Sequence, residues 1–189
     1  MLNSLFYLYN RLCHFILAKP IDILHSPFVF QLYQSSAAIQ KQALFEPMNL
    51  SHLKQDGFSN PKALASIFSA LNTKEIFTLK QINQNWILEE WQSKLQIPFE
   101  KEKLPIQIDA ILIDYSIDLN CLPLAELKTC LQAKQALIID QPHLNKVRNM
   151  QWQALCKQTE VQVAIDFFDF GLCFFNRKQA KEYFKLRLW

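Results

Sequence analysis

The chain has 189 residues, of which 50% are hydrophobic and 13% aromatic, and its formal net charge is +3. This length suits one domain with a sizeable core, and the apolar content excludes an intrinsically disordered chain. The charge excess is too small to indicate a nucleic-acid partner. Glycine is scarce, with only Gly57 and Gly171, so loops that depend on glycine are nearly absent.

Three helices are predicted in the first part of the chain. The first covers residues 3–18 and is amphipathic, the second begins at Ser26-Pro27 and runs to about Gln40, and the third runs from Asn60-Pro61 to about Leu71. One stripe of the first helix is apolar: Leu5, Leu8, Leu12, Phe15 and Ile16. The first two helices carry more apolar surface than a short domain can cover, which predicts an interface for a second copy or a protein partner.

The stretch Ile108–Ser116 reads as a central strand, because a nearly continuous apolar run ends there in Asp114. A second run of this kind, Ala136–Asp140, also ends in an aspartate, and a helix-sized segment at Leu122–Lys134 separates the two. Strand, helix and strand in this order predict a parallel βαβ unit. A first strand is expected at Glu75–Leu79.

The other predicted elements flank this unit. A helix is expected over Asn83–Leu95, a short edge strand over Gln96–Phe99, and another helix over about Leu144–Gln158. An antiparallel hairpin is predicted from Glu160–Phe168 and Leu172–Phe175, turning at Asp169-Phe170-Gly171. Residues 178–186 are expected to form a basic closing helix or tail. We treat the chain as a single domain, 1–189, with an N-terminal helical segment (1–72) and an α/β core (73–189).

Four strings resemble a bacterial group of O-methyltransferase-like proteins within the class I S-adenosylmethionine-dependent methyltransferases. They are HSPFVF (25–30), IDAILID (108–114), LIIDQPH (137–143) and IDFFDFGLCFFNRKQAKEYFKLR (165–187). The resemblance implies an α/β, reduced Rossmann-like methyltransferase fold. Its sheet would be mostly parallel, with a C-terminal antiparallel hairpin and an N-terminal helical extension.

The chain departs from that family where the cofactor would bind. Family members have a glycine-rich turn after the first strand, whereas here Leu79 is followed by Lys80-Gln81-Ile82-Asn83. Only 28 residues separate Leu79 from Ile108. The usual helix–strand–helix–strand passage needs roughly twice as many, because each βαβ unit takes about 30 residues. Trp86 and Trp91, in the helix after that turn, are large enough to fill the adenosyl volume. We therefore expect no cofactor.

The resemblance and this departure together predict a degenerate methyltransferase-like protein that does not bind S-adenosylmethionine and acts through protein interaction. The alternative is an active S-adenosylmethionine-dependent O-methyltransferase-like enzyme whose cofactor site is unconventional or completed by a partner. A third reading is a binding module for another small ligand. If the protein is an enzyme, a methyltransferase is the class that the sequence indicates.

Candidate site residues cluster after the two central strands. Because parallel strands end at the same sheet edge, Asp114 and Asp140 should be neighbours there, with Tyr115 and Gln141 facing the same crevice. His143 is the candidate general base. Oxygen ligands from these residues would suit Mg²⁺ or Ca²⁺, but a carboxylate pair that caps or pairs with its neighbours is the simpler interpretation, so we predict no metal.

The sequence contains five cysteines: Cys13, Cys121, Cys130, Cys156 and Cys173. Their odd number and the absence of CxxC spacing favour buried, reduced thiols in a cytoplasmic protein. The apolar residues 5–17 are interrupted by Asn10, Arg11 and His14 and are too short to span a bilayer, so no membrane association is expected. The C-terminal basic residues alternate with aromatics, which we interpret as a solvated face rather than a nucleic-acid site.

Overall fold

The computed structural model describes residues 2–20, 25–42, 58–73, 76–79, 109–131 and 135–188. Its helices are α1 (Leu2–Leu17), α2 (Pro27–Gln42), α3 (Pro61–Leu71), α4 (Leu124–Cys130) and α5 (Lys146–Lys157), with a 3₁₀ turn at Leu119–Cys121 before α4. The three predicted N-terminal helices are therefore confirmed. The helix expected at 122–134 is shorter than predicted, since Pro123 separates the 3₁₀ turn from α4.

Several predictions fall outside the described residues. They are the glycine-free turn after Leu79, the helix at 83–95 with Trp86 and Trp91, and the edge strand at 96–99. These remain predictions from the sequence.

The described strands form one six-stranded sheet in the order β1-β2-β3-β5-β4-β6. Their bounds are β1 (Ile76–Leu79), β2 (Ala110–Ile113), β3 (Ala136–Asp140), β4 (Val163–Asp166), β5 (Phe170–Phe174) and β6 (Glu182–Lys185). The pairs β1–β2, β2–β3 and β4–β6 are parallel, whereas β5 runs antiparallel to both β3 and β4. The central parallel βαβ unit is as predicted, and the antiparallel hairpin is present with shorter strands and an earlier turn than predicted. The expectation of a mostly parallel sheet is wrong, because the sheet is mixed.

The C-terminal prediction is also wrong, because residues 182–185 form a strand rather than a helix or tail. β6 pairs in parallel with β4, and a bridge between Lys19 and Leu186 follows it. Phe184 and Leu186 are buried on one face of the sheet; on the other, the Tyr183 ring is 44% exposed while its hydroxyl reaches the buried Asp166, so the side chains alternate between the two faces. Basic residues such as Lys185 and Arg187 alternate with these apolar residues, and they made the segment look like a basic helix or tail in the sequence.

The sheet is covered by helices on both faces. Ala110 and Leu112 of β2 join a core with Leu64 and Phe68 of α3 and with α2. Ile111 and Ile113, the alternate residues of the same strand, join a second core with α4 and with Trp152 of α5. β2 is thus buried on both faces, as its continuous apolar run predicts.

Gly171 lies within β5, not at the turn where it was predicted. A Cβ atom at this position would lie only 2.4 Å from Cη2 of Trp152, so the indole needs a residue without a side chain there. The hairpin turns instead at Phe167–Asp169, where Phe168 has a φ of 71°.

No helix in the described part of the chain combines the length and the hydropathy that crossing a bilayer would require.

Candidate functional site

Asp114 and Asp140 lie at the same edge of the sheet. Asp140 ends β3, Asp114 immediately follows β2, and these strands are parallel neighbours with Ile113 opposite Ile139. The predicted juxtaposition of the two acids is therefore confirmed. Both are buried, with Asp140 fully enclosed.

The Asp140 carboxylate is hydrogen-bonded within its own chain. Its Oδ1 accepts hydrogen bonds from the backbone N–H (3.2 Å) and the hydroxyl (2.7 Å) of Ser59, and Oδ2 accepts from Nε2 of Gln141 at 3.3 Å. Burial raises the pKa of Asp140; the Ser59 hydrogen bonds oppose this rise, and the charge of Asp114 adds to it. The carboxylate therefore serves as an acceptor for the segment before α3.

The tip of the β4–β5 hairpin lies over this region. The carbonyl oxygen of Asp169 accepts from the Gln141 backbone N–H at 2.9 Å and lies 2.8 Å from Oγ of Ser59. The Asp169 side chain accepts a further hydrogen bond, 3.1 Å long, from Nδ2 of Asn60. Gln141 itself has a φ of 46°, in the left-handed region. The predicted crevice beside Asp140 is thus occupied by residues of this chain.

Arg148 of α5 connects the carboxyl ends of β2 and β3 through hydrogen bonds. Its guanidinium donates to the carbonyl oxygens of Asp114 (3.1 Å), Asp140 (3.3 Å) and Ile117. Burial lowers the pKa of Arg148 to about 10, although the charges of Asp140 and Asp114 oppose this change. An arginine in this position fixes the spacing of the two strand ends.

Tyr115 differs from the other predicted site residues because its side chain is 48% exposed. It lines an open groove of about 410 Å³ between the loop after β2 and the start of α5, together with Lys146 and Gln151. Asp114 does not point freely into that groove, since its Oδ1 accepts from the backbone N–H (2.9 Å) and the hydroxyl (2.5 Å) of Ser116. Of the predicted crevice residues, Tyr115 has the most open surroundings.

His143, the candidate base, lies in the interior and contacts a residue that the sequence did not single out. Its Nε2 is 2.9 Å from each carboxylate oxygen of Asp166, and its Nδ1 is 2.9 Å from Oδ1 of Asn149. Its ring stacks on Phe168 with a centroid distance of 4.9 Å. Both ring nitrogens thus have partners within the protein.

Asp166 is the centre of a buried polar group that we call the Asp166 cluster. Besides His143, it is contacted by His14 of α1 (Nε2–Oδ1, 3.2 Å), Trp152 of α5 (Nε1–Oδ2, 3.2 Å) and Tyr183 of β6 (OH–Oδ2, 2.7 Å). The Phe168 backbone N–H donates to Oδ1 at 2.9 Å. One carboxylate therefore ties together two helices, two strands and the hairpin turn.

The charge of Asp166 is strongly stabilised. Its complete burial favours the neutral acid, but the hydrogen bonds and charges of His14 and His143 outweigh this effect and hold the pKa of Asp166 well below its ordinary value. Burial, together with the negative charge of Asp166, raises the pKa of Tyr183. The cluster is consequently an anion surrounded by donors, a stable structural arrangement.

The cluster also determines how α1 is attached. His14 bonds to Asp166, Tyr7 packs edge-on against Phe168 at 5.1 Å, and the Arg11 guanidinium lies 5.6 Å from the same ring. At the end of the helix, the Arg187 guanidinium donates to the carbonyl oxygen of Phe15 at 2.7 Å. The face of α1 that touches the sheet is therefore its polar and aromatic face.

The sequence did contain a signal for Asp166. An acid inside the apolar run Val163–Phe168 must be buried, and a buried acid needs partners. His14 also lies outside the apolar stripe of α1, where a polar contact is expected. Neither observation identifies the pairing, because His14 and Asp166 are 152 residues apart in the chain.

The described residues contain no group of three or more His, Cys, Asp or Glu side chains arranged to hold a metal ion. Cys13, Cys121, Cys156 and Cys173 are free thiols, and the last two are buried.

Searches of protein-family models, curated proteins and solved structures found no significant match to this chain. The fold and the site geometry therefore stand on the structure itself, and the likeness to methyltransferases remains a resemblance in sequence strings.

Proposed function

We propose that this chain is a degenerate methyltransferase-like protein that acts through protein interaction and does not bind S-adenosylmethionine. The observation that carries the interaction part is the apolar stripe of α1, whose side chains lie at the protein surface. Leu8, Leu12 and Ile16 are 62%, 59% and 66% exposed. A contiguous apolar surface of this kind is typical of an interaction site.

The surroundings of the candidate catalytic residues support the other part of the proposal. Asp140 and His143 are engaged by Ser59 and Asp166, so neither presents a free acceptor or base to a ligand in this conformation. A substrate that recruited His143 would have to break its buried hydrogen bonds to Asp166, at a cost on the order of 1–3 kcal/mol. The turn without glycine after Leu79 is a further argument from the sequence.

The test is titration calorimetry of the purified chain with S-adenosylmethionine and its demethylated product, supported by thermal shift. We expect no saturable heat at ligand concentrations up to about 1 mM. The glycine-rich turn and the strand whose acidic end would hold the ribose are both missing from the sequence, and losing two such contacts moves a micromolar site to about millimolar or weaker. Saturable binding at micromolar ligand would overturn the proposal in favour of the enzyme reading.

Two variants make that outcome interpretable. If the cofactor binds, Tyr115→Ala should weaken binding or turnover, because this residue lines the open groove beside the sheet edge. Met150→Ala is the control, since Met150 is 60% exposed on α5 and does not line the groove. Equal behaviour of the two variants would locate the cofactor away from the groove.

A further inference from the structure

The amphipathic helix α1 is turned outward. Its polar and aromatic residues Tyr7, Arg11 and His14 face the Asp166 cluster, while an apolar surface faces away from the sheet. We call this surface the α1 stripe, and its side chains are 56–67% exposed: Leu5, Leu8, Tyr9, Leu12, Phe15 and Ile16. A surface helix of a globular protein ordinarily packs its apolar face against the core, so we expect another surface to bury the apolar face of α1.

The exposed area of the stripe indicates what kind of partner would bury it. Six large side chains exposed by more than half present on the order of 700 Å², above the largest apolar patch of a typical monomer and close to the roughly 800 Å² per partner of a standard stable interface. Leu5, Leu8, Leu12 and Ile16 follow one another at intervals of three or four, which is the spacing that packs a helix against another helix. A helix surface is therefore the best match in shape.

The apolar composition of the stripe is matched by a second copy of the same stripe. Within the stripe the Tyr9 hydroxyl is the single ionisable group, and one neighbouring cation, the Arg187 guanidinium, lies over the Phe15 ring at 3.9 Å from its centroid. An antiparallel second copy would place apolar residues opposite apolar residues along the full length, since both ends of the stripe are apolar. It would also set the two helix dipoles in opposite directions, which is favourable.

A lipid surface matches less well. Interfacial helices keep a face rich in Lys and Arg available for the headgroups. In α1, Tyr7 and His14 of the polar face contact Phe168 and Asp166, and Arg11, the single Lys or Arg of the helix, lies 3.9 Å from a carboxylate oxygen of Asp169.

We propose that the α1 stripe is a two-fold interface at which two copies of this chain pair through antiparallel α1 helices. The proposal rests on the interaction role proposed above and names the partner. Residues near the middle of the stripe, Leu8 and Leu12, would lie next to the two-fold axis. Such an interface is isologous, so each copy contributes the same residues and the assembly closes as a dimer.

The test is sedimentation velocity of the full chain and of charged variants, at concentrations from about 1 to 100 µM. We expect the wild-type chain to be dimeric, and the double variant Leu8→Glu/Leu12→Glu to dimerise at least about 100-fold more weakly, because four acids would meet at the axis. Met150→Glu is the matched control, since Met150 is an equally exposed apolar residue on α5. This control should remain dimeric.

A charge-swap experiment separates loss of the interface from loss of the fold. Mixing Leu8→Glu/Leu12→Glu with Leu8→Lys/Leu12→Lys should restore a heterodimer, which a misfolded variant could not form. A wild-type chain that stays monomeric at about 100 µM, or a Glu double variant that stays dimeric, would overturn the proposal. Sedimentation of a monomeric chain with phosphatidylcholine/phosphatidylserine vesicles would do so too, and would assign the stripe to lipid.

These outcomes are distinct from those of the cofactor titration. A dimer that binds S-adenosylmethionine would refute the proposed function and leave the interface intact. A monomer that binds no cofactor would refute the interface alone.

Discussion

Helices α1 and α3 both separate apolar from polar side chains, yet they are attached to the sheet by opposite faces. In α3 the apolar face is inside, and Leu64, Ile67 and Phe68 are completely buried. Asn60 caps the first turn of α3 and Asn72 ends the helix in a left-handed conformation. The two ends of α3 are therefore determined by residues that are adjacent in the sequence. In α1 the apolar stripe is outside, and a histidine is buried instead.

The difference shows which interactions orient a helix. An apolar stripe indicates only that one face of a helix requires a partner, and no described residue of α1 belongs to either of the two buried cores. A buried carboxylate makes a more specific demand, because it is costly unless several donors reach it. His14 is one of the donors that Asp166 requires, so α1 is held by its polar face.

The largest effect that this comparison predicts is the loss of Asp166. Asp166→Ala should lower the free energy of unfolding by about 3–5 kcal/mol, because it leaves two histidines, a tyrosine and an indole without their shared acceptor. Urea denaturation measures the change. Glu126→Ala, at an exposed position of α4, is the control and should stay within about 0.5 kcal/mol.

If Asp166→Ala does not fold, Asp166→Asn is the substitute, since it keeps an acceptor oxygen and the shape of the side chain. A cost below about 1 kcal/mol for both variants would mean that the cluster does not hold α1 in place.

Leucine truncation compares the two helices directly. Leu64→Ala in α3 should cost about 2–5 kcal/mol, because it opens a cavity in the core. Leu8→Ala in α1 should change the free energy of unfolding by no more than about 0.5 kcal/mol when measured at protein concentrations too low for association. Equal costs at low concentration would show that another part of the chain covers the α1 stripe.

Gly171→Ala tests the contact that holds α5 against the hairpin. The new Cβ would lie 2.4 Å from the Trp152 indole, so we expect a cost of about 1–3 kcal/mol in thermal or chemical unfolding. The same substitution in a Trp152→Leu background should cost clearly less, because the shorter side chain leaves room. Additive costs in this double-mutant cycle would contradict the explanation.

The last prediction concerns how the free energy of unfolding depends on pH. The folded pKa of Asp166 lies well below the unfolded value of about 3.9, so its stabilising contribution is complete above that value and is lost as the pH falls below about 4. The raised pKa of Asp140 acts in the opposite direction, since its protonation favours the folded state. Urea midpoints of the wild type and of Asp166→Asn, measured from about pH 5 to pH 2, should converge as the pH falls. Parallel curves would exclude this role of Asp166.

Much of the local structure follows from the sequence alone. The apolar run Ala110–Ile113 is long enough only for a strand buried on both faces, and Asp114 and Asp140 are placed at one edge because their strands run the same way. The three N-terminal helices could be predicted for a similar reason, since periodicity and capping residues are properties of adjacent positions.

The partners of these elements were decided by the tertiary structure. From the sequence, His143 is a candidate base facing a crevice. In the structure it contacts Asp166, which lies 23 residues further along the chain. From the sequence, residues 182–185 belong to a basic helix or tail. In the structure they form a strand because they pair with β4. The stripe of α1 was evident from its spacing, but its direction depends on a contact between residues 152 positions apart. Periodicity determines that a face exists, whereas the competition among distant groups for the same interior space determines what covers it.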